Sequence, residues 1–350
     1  MRLLFAAFAV LFGGTWPVSA DGLNVRAQRN GLKYFGSQVS TAVLNDAAAN
    51  AIAIRNQDFG TYTCEYEQKF ANTEPSRDSF SYTLSDRIVN QALRNGIVMR
   101  CHNLIWHKNV PSWVTNGNFD NSTIIAIIQN HIANVVTHFK GKCYAWDVVN
   151  EAIDADGTFR GQKSSSDSVW YSKVGPAFIP IAFAAAAAAD PSARLYYNDY
   201  NIEYPSIKTT AVINLVKSIQ EYGAKIDGVG LQGHFNTGEL PSSARLVSTL
   251  TSFAALGVDV AYTELDLGTP TSSPDYAQQA LDFATVVRAC KQVSRCVGIT
   301  TWGFTDRYTY RTAELPDLWD TALQKKQAYY STLAALGPDP LVDVCGCAEF

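Results

Sequence analysis

Short apolar segments rich in Val, Ile, Tyr and Phe recur along the chain at 33–39, 59–67, 97–106, 143–152, 194–201, 228–235, 259–267 and 297–306. Their composition and length are those of buried strands. Between them the apolar positions follow a helical period. Over 124–139, Ile124, Ile128, Ile132, Val135, Val136 and Phe139 fall on one face, behind Ser122-Thr123 as the cap. Over 206–222, Ile207, Ala211, Leu215 and Ile219 repeat every four residues, and Gly223 is placed to end the helix. The Ala184–Ala189 run is a helix former, not a linker. Eight strands alternating with helices predict a parallel sheet. Eight units in about 300 residues fit a closed (β/α)8 TIM barrel, one α/β domain, better than an open doubly wound sheet. No glycine-rich phosphate loop follows any strand, which removes the usual nucleotide-binding alternative. A barrel also makes a demand: the chemistry must gather at the C-terminal ends of the strands.

The first twenty residues stand apart from this alternation. Arg2 precedes an apolar run from Leu3 to Phe12, and Val18-Ser19-Ala20 forms a small-residue cleavage site. Residues 1–20 read as a secretory signal, and 21–350 as the mature chain, secreted and extracellular. No later run approaches the ~20 apolar residues of a membrane span. The formal charge is −4, with 28 Lys+Arg against 32 Asp+Glu. That gives no electrostatic reason to expect nucleic acid or an anionic membrane as partner, and a monomer is expected. An oxidising destination makes seven cysteines legible. Cys290 and Cys296 flank a short turn and predict a local bridge; Cys101 and Cys143 are the second expected pair. Cys64 stands alone, and Cys345 and Cys347 lie in the C-terminal tail. Seven is odd, so at least one thiol is free or paired outside the chain. Asn121-Ser122-Thr123 is a glycosylation sequon ahead of a helix, so Asn121 is expected on the surface. No metal-ligand spacing appears, and no cofactor is expected. His131 and His138 share a helical stretch and read as an ordinary helix face.

The polar residues gather where the barrel requires them. The fourth segment ends in Asn150-Glu151 and the seventh in Glu264-Leu265-Asp266. The second carries Glu65 and Lys69, the third His102, Trp106 and His107. The fifth ends in Asn198, Asp199 and Tyr200, the sixth in Gln232 and His234, and the eighth carries Trp302. Carboxylates, amides and indoles on one rim suit a carbohydrate cleft. Two carboxyl groups from opposite sides of the mouth can flank one glycosidic bond, one as acid and one ionised. Glu151, at the end of an apolar strand, suits the acid. Glu264, with His234 and Asp266 as partners, suits the ionised group.

The sequence resembles the glycoside hydrolase family 10 xylanases from about Gly31 to Tyr330. The blocks that carry the resemblance are GLKYFGS (31–37), TEPSR (73–77), Trp106-His107 with PSWV (111–114), WDVVNEA (146–152), NDYN (198–201), DGVGLQGHF (227–235), TELD (263–266) and GITTWGFTD (298–306). It implies a (β/α)8 barrel and hydrolysis of β-1,4 xylan with net retention. It implies Glu151 as acid/base, Glu264 as nucleophile, and Asn150, His234, Asp266 and Gln232 in support. It places Glu65, Tyr66, Lys69, His102, Trp106, Asn109, Asn198, Tyr200, Trp302 and Tyr310 in the substrate cleft. Departures concentrate away from the reaction centre. Tyr66 stands where the family has an Asn that binds the second glycone xylose, Tyr310 replaces a lining tryptophan, and Asn109 replaces a Gln. Such changes suggest another sugar or aglycone, and the family includes tomatinases, which take the oligosaccharide from steroidal glycoalkaloid saponins. Two further alternatives are an inverting hydrolase, with more widely spaced carboxyl groups, and a catalytically silent carbohydrate-binding protein.

Overall fold

The structure, a computed structural model, describes residues 21–338. The signal segment and the Cys345 and Cys347 tail therefore lie outside the described residues. The strands are β1 (Tyr34–Val39), β2 (Thr61–Cys64), β3 (Val98–Trp106), β4 (Cys143–Asn150), β5 (Arg194–Asp199), β6 (Gly228–Leu231), β7 (His234–Asn236), β8 (Asp259–Gly268) and β9 (Cys296–Thr301). All pair in parallel. Strands β1 to β6 run in sequence order, β1 continues through β9 to β8, and β8 pairs back with β6. The eight-stranded sheet is thus closed, with helices between the strands on its outside. A parallel barrel strand is covered on both faces, which is why these segments read as apolar runs rather than alternations.

Each of the eight segments contains a strand, but the sixth is divided. It breaks at Gln232-Gly233, where Gly233 turns with φ +79°. Beyond the break, β7 pairs with β8 so that His234 lies opposite Asp266. The ladder also shifts register between His102 and Ile105, Asp147 and Val149, and Tyr262 and Leu265. Bulges of this kind re-aim side chains, and each lies within a few residues of the barrel mouth.

The helix expected behind Ser122-Thr123 runs Asn121–His138. Its cap is Asp120, whose carboxylate accepts the Thr123 N–H at 2.8 Å; Ser122 and Thr123 are its first turn. Asn121 is exposed, as expected, and its amide donates to the Lys173 carbonyl. All six apolar positions of the expected face are buried. His131 is buried too, stacked 3.5 Å from Phe70 and bonded to Glu74, while His138 bonds Asp86. The second helix, Ile207–Glu221, corrects the expected stripe. Ile207, in its first turn, is 70% exposed, and the buried face is Lys208, Thr209, Val212, Leu215, Val216 and Ile219. Its lysine has a buried partner, described below. One stretch, Val169–Ala189, is long and apolar enough to span a membrane, against expectation. It is not one continuous α-helix, because a 3-10 turn at Gly175–Ala177 interrupts it. Its second part buries Phe178, Ile179, Ala182, Phe183 and Ala186. Both expected disulfides are present, Cys101–Cys143 and Cys290–Cys296, and Cys64 is a buried free thiol.

Candidate active site

The C-terminal strand ends surround a cavity of about 330 Å³. Glu151 and Glu264 both line it, the first directly after β4 and the second within β8. So do Glu65, Tyr66, Lys69, His102, Trp106, Asn150, Tyr200, Gln232, His234, Trp302 and Tyr310. Asp266 lies beneath, fully buried. Two expected cleft residues are placed elsewhere. Asn198 is fully buried between strands: its amide donates to Glu264 Oε1 at 2.8 Å and its oxygen accepts from Thr263 at 2.6 Å. It holds a carboxylate rather than lining the cleft. Asn109 is outside the cavity, because its side chain folds back onto the chain and accepts the Ala71 N–H.

Each carboxylate has its own set of donors. The Trp106 indole N–H donates to Glu151 Oε2 at 2.9 Å, and the Gln232 amide donates to Oε1 at 3.1 Å. His107 approaches Glu151 Oε2 at 3.9 Å. Burial first, and then the charges of Arg160 and Lys108, depress the His107 pKa to about 3, so its ring is neutral at ordinary pH. On the other side, Asn198 meets Glu264 Oε1, and His234 Nε2 lies 3.2 Å from Oε2. His234 Nδ1 lies 2.9 Å from Asp266, whose other oxygen accepts from Arg311 at 2.7 Å. Burial opposes a charge on His234, but Asp266 and Glu264 outweigh it and raise its pKa well above the usual histidine value. An imidazolium between two carboxylates donates to both. Between the two centres, the Asn150 amide meets the Asn198 amide at 2.8 Å.

The cavity floor and its near wall are equally tied down. His102 Nδ1 lies 2.9 Å from Asp147, which also takes a double hydrogen bond from buried Arg100 at 2.6 and 2.5 Å. Burial opposes the charge of Asp147, but Arg100 and His102 prevail and lower its pKa. The Lys69 ammonium is 4.8 Å from the ring centres of both Tyr66 and Trp106. Burial lowers its pKa against the pull of Glu264, Glu65 and Glu151. Gln38 donates to Glu65 at 2.7 Å. Tyr310 is 48% exposed, its hydroxyl 3.3 Å from His234 Nδ1. Among the described residues, no group of three His, Cys, Asp or Glu could hold a metal ion.

Four contributors escape sequence reasoning. Lys108 lines the cavity, and Gln38 holds Glu65. Arg160 donates to the Glu151 carbonyl at 3.0 Å, and Tyr197 accepts the N–H of Ala152. The last two act on main-chain atoms at the end of β4, Arg160 from 9 residues away and Tyr197 from 45, and no side-chain motif announces a main-chain contact.

Comparison with known proteins gives a consistent picture. The family model described as "Glycosyl hydrolase family 10" matches residues 22–335. An endo-1,4-beta-xylanase D of Talaromyces funiculosus is 47% identical over 326 residues, 91% of this chain and 78% of that protein. An endo-1,4-beta-xylanase of Agaricus bisporus is 44% identical, over 89% of this chain and 94% of its own length. Among solved structures, the GH10 xylanase from Bispora sp. MEY-1 with xylobiose superposes with a TM-score of 0.86 at 36% identity, covering 90% of this chain and 99% of that one. The Penicillium canescens endo-1,4-beta-xylanase XylE gives 0.85 at 37% identity, covering 91% and 98%.

Proposed function

The chain belongs to glycosyl hydrolase family 10, and from that premise we propose that it is a secreted, monomeric enzyme that hydrolyses β-1,4-xylan with net retention. The observation that carries the reading is the shared cavity: two carboxylates line it, each with a different set of donors. Glu264, between Asn198 and His234, is the nucleophile. It attacks the anomeric carbon and forms a glycosyl-enzyme ester while the bond to the leaving oxygen breaks. Glu151 gives its proton to that oxygen. In the second step a water gives its proton to Glu151 and its oxygen to the anomeric carbon, releasing Glu264. Trp106 and Gln232 steer Glu151 in both roles, and Trp302 offers the sugar an apolar face. The N-terminal segment and the two disulfides support secretion, and Asn121 is the expected glycosylation site.

The relatives quoted are xylanases, which favours xylan over the oligosaccharide of a saponin. Tyr66 and Tyr310, each 48% exposed at the cleft, keep the saponin as second reading. Product analysis on soluble xylan and on α-tomatine, with Glu264→Ala as blank, decides between them. Xylo-oligosaccharides from xylan are expected, with the blank inactive. Aglycone release from tomatine with xylan untouched would establish the saponin reading, and binding without turnover would make the protein a lectin. A proton NMR time course of the first-formed product anomer tests retention: the β anomer is expected, and the α anomer means inversion.

A further inference from the structure

Glu151 has a backbone φ of +56°. A residue with a Cβ rarely adopts this left-handed conformation, which is held only where the surroundings over-determine it. Three hydrogen bonds flank the residue. Its N–H donates to the Asn198 carbonyl at 2.9 Å, and its carbonyl accepts from Arg160 Nε at 3.0 Å. The next N–H, of Ala152, donates to the Tyr197 hydroxyl at 3.0 Å. That hydroxyl in turn donates to Asp199 Oδ2 at 2.5 Å. Asp199 Oδ1 accepts from the Lys208 ammonium at 2.7 Å and from the Tyr200 N–H at 2.9 Å. The Lys208 nitrogen also lies 3.7 Å from the centre of the cleft-lining Tyr200 ring. Tyr197, Asp199 and Lys208 are all buried, at 0%, 0% and 2% exposure.

None of these three groups lines the cavity. A buried ion pair contributes little net stability, because desolvation offsets the attraction. What the pair does locally is orient one phenol. The phenol hydroxyl accepts the Ala152 N–H and donates to the carboxylate through one atom, and a phenylalanine in its place can do neither. We propose that Tyr197, oriented by Asp199 and Lys208, is a positioning residue for Glu151: it fixes the peptide after the acid/base, and so the reach of its carboxyl toward the leaving oxygen. The proposal rests on Glu151 being the acid/base. Proton transfer demands hydrogen-bond reach, and a displacement of about 1 Å can cost on the order of 100-fold.

Two aryl β-xylobiosides separate positioning from general damage. A 2,4-dinitrophenyl group leaves without a proton; a phenyl group needs one. In Tyr197→Phe, kcat/KM, which reports the glycosylation step, should fall about 10- to 100-fold on the phenyl substrate. On the dinitrophenyl substrate it should stay within about 2-fold, because no proton transfer is at stake. An equal loss on both substrates, or no loss on the phenyl one, overturns the proposal. Should Tyr197→Phe fail to fold, Asp199→Asn combined with Lys208→Met decides. It removes both charges together and leaves no lone buried ion. It should show the same dependence on leaving group, with a smaller loss, and leaving-group independence overturns the proposal there too. A wild-type protein inert on both glycosides, one of which needs no acid, would instead take down the xylanase reading on which the proposal rests, and this proposal with it.

Discussion

Tyr66 stands at the mouth of the cavity, 48% exposed, with its ring 4.8 Å from the Lys69 ammonium. In the xylanases that the sequence resembles, an Asn at this place hydrogen-bonds the second glycone xylose. A phenol ring offers a larger apolar surface there and no amide. Tyr66→Asn should therefore restore one polar contact, about 1 kcal/mol or roughly 5-fold. The gain should appear in kcat/KM for an aryl β-xylobioside and be absent for the aryl β-xyloside, which does not reach that subsite. A ratio between the two substrates that does not move would mean that the tyrosine binds the second sugar as well as the amide does. At this scale the place of Glu151 and Glu264 at the cavity is legible, because WDVVNEA and TELD set them at the ends of two barrel strands. Asn198 and Asn109, expected in the cleft, do not line the cavity. A strand-end amide can face the cavity or a neighbouring strand, and the choice is made by partners such as Thr263 and Ala71 that lie far away in sequence. Tyr197 is silent for the same reason, because the Ala152 N–H that it accepts lies 45 residues away.

Elements were easier to read than side chains, since periodicity reports burial directly. All eight strands were legible, and one helical face, on Asn121–His138, matched position by position. The break between β6 and β7 was not. It depends on Gly233 turning so that His234 pairs with Asp266, and a Gly in an apolar run looks like any other. The stripe on Ile207–Glu221 is displaced because Lys208 is drawn inward by Asp199, while Ile207 begins the helix largely in solvent. The disulfides act at this scale too. Cys101–Cys143 joins β3 to β4 across 42 residues, whereas Cys290–Cys296 spans only 6. Loop entropy gives about 4 kcal/mol for the first and about 2.4 kcal/mol for the second. Equilibrium urea unfolding of the two Cys→Ala pair variants should thus show the larger loss for Cys101/Cys143. Equal losses would mean that native packing around the sulfurs, not the unfolded chain, sets their contribution.

The pH dependence of stability belongs to the whole molecule, because groups in one barrel mouth titrate with opposite signs. His107 is depressed to about 3 from an ordinary 6.5, chiefly by burial and then by Arg160, Lys108 and Lys208. The unfolded chain therefore binds one more proton between these values, and stability falls as pH falls from 6.5 toward 3. Asp199 behaves in reverse. Burial raises its pKa from 3.8 to about 6, against Lys208 and Tyr197, so stability falls as pH rises across that interval. His234, raised by Asp266 and Glu264, contributes stability that is complete below 6.5 and lost as pH rises through its folded value. From about 4 to 6 the first two slopes cancel, since each is one proton. Below 3.8 only His107 still acts, and above 6.5 only His234. The contribution of these three groups is thus a shoulder from about pH 4 to 6 that rises to a maximum near 6.5. The expected outcome is read from differences between curves, in which all other groups cancel. Relative to wild type, His107→Asn should gain stability as pH falls from 6 to 4, because Asp199 then acts unopposed. Asp199→Asn with Lys208→Met should lose stability over the same interval, because His107 then acts unopposed. Unfolding free energies measured in urea at half-unit steps from pH 3 to 8 check both signs. Parallel curves would mean that neither group is held from its ordinary titration, and that the mouth of the barrel is wetter than its hydrogen bonds imply.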